Sequence, residues 1–162
     1  MQIALFEPEI PPNTGNIARL CVLTGSPLHI IGQPSFSLSE SAVRRAGLDY
    51  WNELQLQLHS GWTEFWDYVV QQNWKVYALS RFASRSYTQP QYHVNDVLLF
   101  GRESSGLPAY IIECLAPESI LRIPVLPQKR SLNLANSCAI VLYEALRQNN
   151  FPQLTSAYEG DH

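Results

Sequence analysis

Charge is scarce in this chain: only 15% of its 162 residues are Asp, Glu, Lys or Arg, while 46% are hydrophobic. So low a charged fraction implies apolar surface hidden against a partner, most simply a second copy of the same chain, and a homodimer is expected. Nor is there a basic excess. The formal net charge is −3, so there is no global attraction to nucleic acid, and any RNA contact has to come from a local cluster of cations. Cysteine is limited to Cys21, Cys114 and Cys138, odd in number, far apart and without CxxC or histidine spacing. That pattern fits reduced, packed thiols better than disulfides or zinc ligands. His29, His59, His93 and His162 also lack ligand-like spacing, so structural or surface roles and no metal are expected. No apolar run approaches the roughly 20 residues of a membrane span, and no basic, cleavable leader precedes Ile3-Ala4-Leu5-Phe6. The expectation is a cytoplasmic protein, neither exported nor membrane-embedded. The GxGxxG dinucleotide fingerprint and the GxxxxGKS/T phosphate loop are both missing, as are internal repeats and low-complexity tracts.

What is present is an alternation. Short apolar runs suited to buried strands lie at 3–6, 28–31, 76–79, 97–100 and 121–123, and Leu54, Leu56 and Leu58 alternate with polar residues. Helical patterns fall between them, at 14–23, 39–46, 63–72, 109–114 and 133–148. This predicts an α/β fold with a mostly parallel sheet flanked by helices, and a ligand site where loops leave the carboxyl ends of the strands. The length suits a single domain, 1–162, with a tail at 152–162 that frays. In the last helix Leu134, Cys138, Val141, Leu142 and Ala145 share one face. Leu132, Ala135, Ala139, Tyr143 and Leu146 form a second, so this helix is expected to touch both the core and a partner subunit.

Three segments carry candidate chemistry. In Pro11-Pro12-Asn13-Thr14-Gly15-Asn16-Ile17-Ala18-Arg19, two prolines suggest an extended approach, Asn13 or Thr14 a helix N-cap, and Gly25 the stop. Asn16 and Arg19, three apart, share a face away from Ile17, Leu20 and Cys21. Phe100-Gly101-Arg102-Glu103-Ser104-Ser105-Gly106-Leu107-Pro108 follows a strand, and its glycines let backbone approach a ligand closely. In the stretch from Ile123 to Asn136, Ser131 or Asn133 can cap the last helix, whose first amides can face a carboxylate or phosphate. Taken singly, each segment is as readily an ordinary capped helix, tight turn or basic loop.

Taken together and in this order, the three segments resemble the SPOUT superfamily of S-adenosylmethionine-dependent RNA methyltransferases. Glu7-Pro8-Glu9-Ile10-Pro11-Pro12-Asn13-Thr14-Gly15-Asn16 and Arg44-Arg45-Ala46-Gly47-Leu48-Asp49-Tyr50 narrow the likeness to its small single-domain type, which methylates the ribose 2'-hydroxyl of the tRNA wobble nucleotide. The likeness runs from about Ile3 to Phe151. It implies a deep trefoil knot near the C-terminus and a homodimer formed through the knotted region, features no pattern rule predicts. It also implies cofactor contacts at Leu79, Gly101, Ile123 and Ser131, mostly through backbone, with Leu132 adding an apolar wall and S-adenosylhomocysteine as product.

Arg19 matches the candidate catalytic arginine of the superfamily. Because arginine stays protonated in proteins, it reads here as holding a phosphate and stabilising developing oxyanion charge. The resemblance gives Asn13 and Asn16 the role of orienting Arg19, Glu103 that of pairing with a basic group, and Ser131 and Asn133 that of positioning the ribose. Arg44, Arg45, Lys129 and Arg130 are the expected RNA-phosphate contacts. Arg102 and Ser105 depart from the usual proline and arginine, which displaces one positive charge within the glycine loop. Trp51, Trp62, Trp66 and Trp74 could stack bases, with packing the default for most. The expected activity is methylation of cytidine or uridine 34, with tRNA-Leu isoacceptors as substrates. Another tRNA site, ribosomal RNA, or a non-catalytic RNA-binding homologue are the alternatives, the last disfavoured by Arg19, Gly101 and Ser131.

Overall fold

The computed structural model describes residues 1–37, 51–127 and 132–156. Seven strands form one sheet: β1 (Gln2–Phe6), β2 (Leu28–Ile31), β3 (Leu56–His59), β4 (Val76–Leu79), β5 (Arg85–Ser86), β6 (Val97–Phe100) and β7 (Ile120–Arg122). Their order across the sheet is β3-β2-β1-β6-β4-β7-β5, and every pairing is parallel. Parallel strands need crossovers, and those crossovers cover both faces. α1 (Pro11–Thr24), α2 (Trp62–Gln71), α3 (Ala109–Glu113) and α4 (Leu134–Gln148) are the described α-helices, with single 3-10 turns at Trp51–Glu53 and Pro117–Ser119. The expected helix over 39–46 lies outside the described residues.

Burial follows the two-residue period of the strands. Ile3 and Leu5 join Ile17, Cys21, Leu98, Val141 and Leu142 in the core under α1 and α4, while Ala4 and Phe6 join Phe65, Val69, Leu99 and Ile111 under α2 and α3. Because β1 is buried on both faces, it reads as one continuous apolar run. β3 is at the edge, so it is covered only in part: Leu56 packs on the core, Leu58 is left exposed, and the buried residue is His59.

His29 on β2 follows the same rule and turns toward α2. Its Nε2 lies 3.2 Å from the Gln2 amide oxygen and its Nδ1 3.0 Å from Nε2 of His59. Since the Gln2 oxygen only accepts, His29 Nε2 carries the hydrogen, Nδ1 accepts, and His59 Nε2 donates. Trp74 and Tyr68 pack on these rings, and Trp62 stacks on Trp66. These three tryptophans are packing residues in this fold.

Several boundaries differ from expectation for physical reasons. α1 begins at Pro11, so the two prolines are its first turn and Ile10 is the N-cap position; neither Asn13 nor Thr14 caps it. Proline suits that turn because the amide it lacks would have no intrahelical partner. Gly25 closes the helix as expected, with its N–H returned to the last turn. Leu146 is buried in the core and does not belong to an outer face of α4, whereas Leu132, Ile140 and Tyr143 are exposed. Cys21 and Cys138 are buried free thiols, while Cys114 is exposed, which departs from the expectation of three packed thiols.

Candidate functional site

The loops leaving β4, β6 and β7, together with the starts of α1 and α4, enclose a cavity of about 410 Å3 at the carboxyl edge of the sheet. Its wall includes Leu79, Gly101, Glu103, Ile123, Leu132, Asn133 and Asn13, so segments more than 100 residues apart in the chain meet here. This is the position expected for a ligand in an open parallel sheet, and the volume lies within the range of small-molecule sites, roughly 300–1,000 Å3. A second hollow of about 530 Å3 over Gln57, His59, Asp67 and Tyr68 is larger but lies at the β3 edge, away from all three segments.

The glycine loop is folded back on itself. Arg102 N–H donates to the Gly106 carbonyl at 3.2 Å and Gly106 N–H returns to the Arg102 carbonyl at 2.8 Å. A β-carbon on Gly101 would stand 2.2 Å from the Gly106 carbonyl carbon and 2.3 Å from the Leu107 nitrogen. Gly101 is therefore demanded by the chain's own backbone, before any ligand arrives.

Glu103 does not pair with a basic group. Its carboxylate accepts from Glu9 N–H at 2.8 Å, Ile10 N–H at 3.2 Å and Asn13 Nδ2 at 3.0 Å, so it serves the N-terminus of α1 from 90 residues away. A carboxylate suits that place because the first turn of a helix exposes unpaired amides and a partial positive charge. The link is reciprocal. The Glu9 carboxylate accepts from Ser104 N–H and Oγ, both at 2.8 Å, and these bonds hold its carboxyl below the usual range. Arg102 pairs with Glu7, its Nε donating at 2.9 Å, so the charge displaced in this loop is spent within the protein.

From Glu103 the hydrogen bonds continue in one direction. Asn13 gives its Nδ2 to the carboxylate, which turns its Oδ1 toward Asn133 Nδ2 at 2.9 Å. Asn133 in turn offers its Oδ1 to Asn136 N–H at 3.2 Å, so Asn133 is the N-cap of α4. The acceptor-only carboxylate thus sets the orientation of both amides and ties the starts of α1 and α4 together.

Asn16 and Arg19 are exposed on α1 and do not belong to the cavity wall. Asn13 is buried, its amide committed to Glu103 and Asn133. Ser131, Lys129, Arg130, Arg44 and Arg45 lie outside the described residues. The wall also holds residues that pattern reading passed over: Ser80, Arg81, Phe82 and Arg122. Their one sequence signal is position, directly after or at the ends of strands β4 and β7. Among the described residues there is no cluster of potential metal ligands, and no helix is long and apolar enough to cross a membrane.

A parallel α/β sheet with a ligand cavity built from three looped segments at its carboxyl edge defines a class of open-sheet α/β ligand-binding fold. Comparison with known proteins makes the class specific: the SpoU rRNA Methylase family matches residues 1–143, and this chain belongs to it. The tRNA (cytidine(34)-2'-O)-methyltransferase of Yersinia pestis is 43% identical over 155 residues, covering 94% of this chain and 96% of the relative. A solved structure concerned with 2-OH methylation of C/U34 on tRNA superposes with a TM-score of 0.84 at 38% identity, covering 92% of this chain and 95% of the other. An AdoMet-bound rRNA methyltransferase from Sinorhizobium meliloti superposes with a TM-score of 0.74 at 26% identity, covering 95% of this chain and 57% of the other.

Proposed function

We propose that this chain is a single-domain, S-adenosylmethionine-dependent tRNA ribose 2'-O-methyltransferase acting on nucleotide 34, cytidine or uridine, of tRNA-Leu isoacceptors. The observation that carries this reading is the convergence of Asn13, Gly101, Ile123 and Asn133 on one cavity of ligand size. The residues present suit the cofactor: Leu79, Ile123 and Leu132 give apolar walls, and the loop backbone at Gly101 gives main-chain donors and acceptors for an adenine edge, with Ser131 the further contact in this reading. When bound, S-adenosylmethionine supplies a sulfonium-linked methyl group and leaves as S-adenosylhomocysteine.

The protein's task is to present the ribose oxygen in line with that methyl and to manage one proton. As the O2'–CH3 bond forms and the S–CH3 bond breaks, the O2' proton passes to the adjacent RNA phosphate or to water, because an arginine that stays protonated cannot take it. Arg19 lies six residues beyond Asn13, about 9 Å along α1. In this reading it holds that phosphate and stabilises charge developing on O2'. Glu103 fixes Asn13 and Asn133, and Ser131 and Asn133 position the ribose. Arg44, Arg45, Lys129 and Arg130 contact neighbouring phosphates.

The trefoil knot belongs to the same proposal. It is supported by the place of β7 in the sheet, between the two consecutive strands β4 and β5. The homodimer is supported by the exposed Leu132, Ile140 and Tyr143 at α4. The test is incubation with methyl-labelled cofactor and total cellular RNA, followed by mapping of the labelled nucleotide. Label at ribose 34 of tRNA is expected; label in ribosomal RNA alone would displace the tRNA assignment.

A further inference from the structure

Phe82 is 80% exposed, the most exposed large hydrophobic side chain among the described residues, and it lines the mouth of the cavity. It does not hang on a loose loop. Phe82 N–H donates to Ser80 Oγ at 3.2 Å and Ala83 N–H to the Ser80 carbonyl at 3.3 Å, which folds 80–83 into a tight turn directly after β4. The Arg81 guanidinium lies over the ring, 4.7 Å from its centroid. Arg122 lines the same cavity from the end of β7, the strand paired with β4, one residue beyond the Leu121 carbonyl that accepts from Ser80 N–H at 2.8 Å. Among the described residues neither Arg81 nor Arg122 has a carboxylate partner, whereas Arg102 is bound to Glu7. A protein of net charge −3 has therefore gathered two uncompensated cations and an open aromatic face at one rim.

We propose that Arg81 and Phe82 form a recognition site for the RNA strand at the cavity mouth, the ring stacking on a base next to the methylated nucleotide and the guanidinium meeting its phosphate. Single strands are gripped in this way, by aromatic platforms beside cations, because every base has a π face and every linkage a negative charge. The cations favour one occupant: a cofactor of net positive charge offers two guanidiniums a single carboxylate, whereas a polyanion offers a negative charge at every linkage. The site deepens the reading of the cavity as an RNA methyl-transfer centre and rests on it.

The test uses the full chain, an anticodon stem–loop RNA and S-adenosylmethionine. Phe82→Ala is expected to weaken stem–loop affinity roughly tenfold, with the loss in kcat/KM carried by KM. Cofactor affinity by calorimetry stays at the wild-type value, and Phe82→Trp restores RNA affinity. Arg81→Ala reduces the slope of log affinity against log salt by about one. Wild-type RNA affinity in Phe82→Ala overturns the proposal. So does weakened cofactor binding in its place, which assigns the ring to the cofactor, or conversion of a dimer to a monomer in sedimentation, which assigns it to a subunit interface. If the wild-type protein methylates no RNA, the methyltransferase reading falls, and the stem–loop affinities still decide whether this rim holds RNA.

Discussion

Replacing Glu103 by glutamine swaps one acceptor oxygen for an NH2 group in a place where all three neighbours are donors. Glu9 N–H faces one carboxylate oxygen, and Ile10 N–H with Asn13 Nδ2 face the other. Whichever way the new amide turns, a donor meets a donor. Asn13 cannot relieve this by rotating its own amide, because its Oδ1 is needed by Asn133 Nδ2. One lost charge-assisted bond and one unsatisfied, part-buried donor together cost about 2 kcal/mol. For a chain of this length that lowers the melting temperature by about 4–8 °C. Asn13→Asp alone sets two carboxylates against each other and is expected to cost at least as much. Combined, however, the two substitutions restore all but one contact: the glutamine amide donates to the new aspartate, the glutamine oxygen accepts from Glu9 N–H, and the second aspartate oxygen still accepts from Asn133, which leaves only the exposed Ile10 N–H to solvent. Urea denaturation of the four proteins should therefore show a favourable coupling of about 2 kcal/mol with an unchanged m-value. Additive costs would refute the directed chain of hydrogen bonds, and with it the account of how the starts of α1 and α4 are tied.

Burial, reinforced by the His59 ring, pushes His29 down to about 4, and burial also lowers His59. Both stay neutral in the folded chain while unfolded histidine gains a proton below about pH 6.5, so stability is complete above that pH and is lost as pH falls toward 4, by about 3 kcal/mol for His29. His29→Gln should flatten that dependence, and a wild-type urea midpoint constant between pH 6.5 and 4.5 would contradict the buried pair. Gly101→Ala drives a β-carbon into the Gly106–Leu107 backbone and is expected to cost about 3 kcal/mol or more in thermal unfolding, losing cofactor affinity with it. Gly106→Ala, with open space but φ of +76°, should cost only about 1–2 kcal/mol, and equal effects would show that the contact at Gly101 is relieved elsewhere. Arg19→Ala is expected to fold and bind cofactor as the wild type does and to lose about a hundredfold in methyl transfer; unchanged turnover would remove Arg19 from the reaction.

The strands were legible because a parallel sheet covered on both faces leaves few polar residues in its strands, so 3–6, 28–31, 76–79 and 97–100 stand out as short apolar runs interrupted only by His29. β5, only Arg85–Ser86, carries no period at all and is defined by its partner β7. At the site the division is the same. Helix α1 was readable from its apolar face and from Gly25, yet the group that serves its N-terminus is Glu103, not Asn13 or Thr14. A cap supplied from 90 residues away leaves no local signature. Gly101 was marked as a place of close approach, and it is one, but what approaches is the chain's own loop. Arg81 and Phe82 were invisible because exposure is a property of the assembled surface: an arginine and a phenylalanine after a strand read as ordinary loop until the pairing of β7 with β4 brings Arg122 beside them. Local pattern therefore locates the elements, while long-range donor–acceptor pairing decides what each site residue is for. The segments converge because the Glu9 and Glu103 carboxylates and the Asn13 amide find their partners some 90 residues or more away, and Asn133, whose Oδ1 serves its own helix, spends its Nδ2 on Asn13, so any change that gives one of the long-range groups a local partner should loosen the cavity without disturbing the sheet.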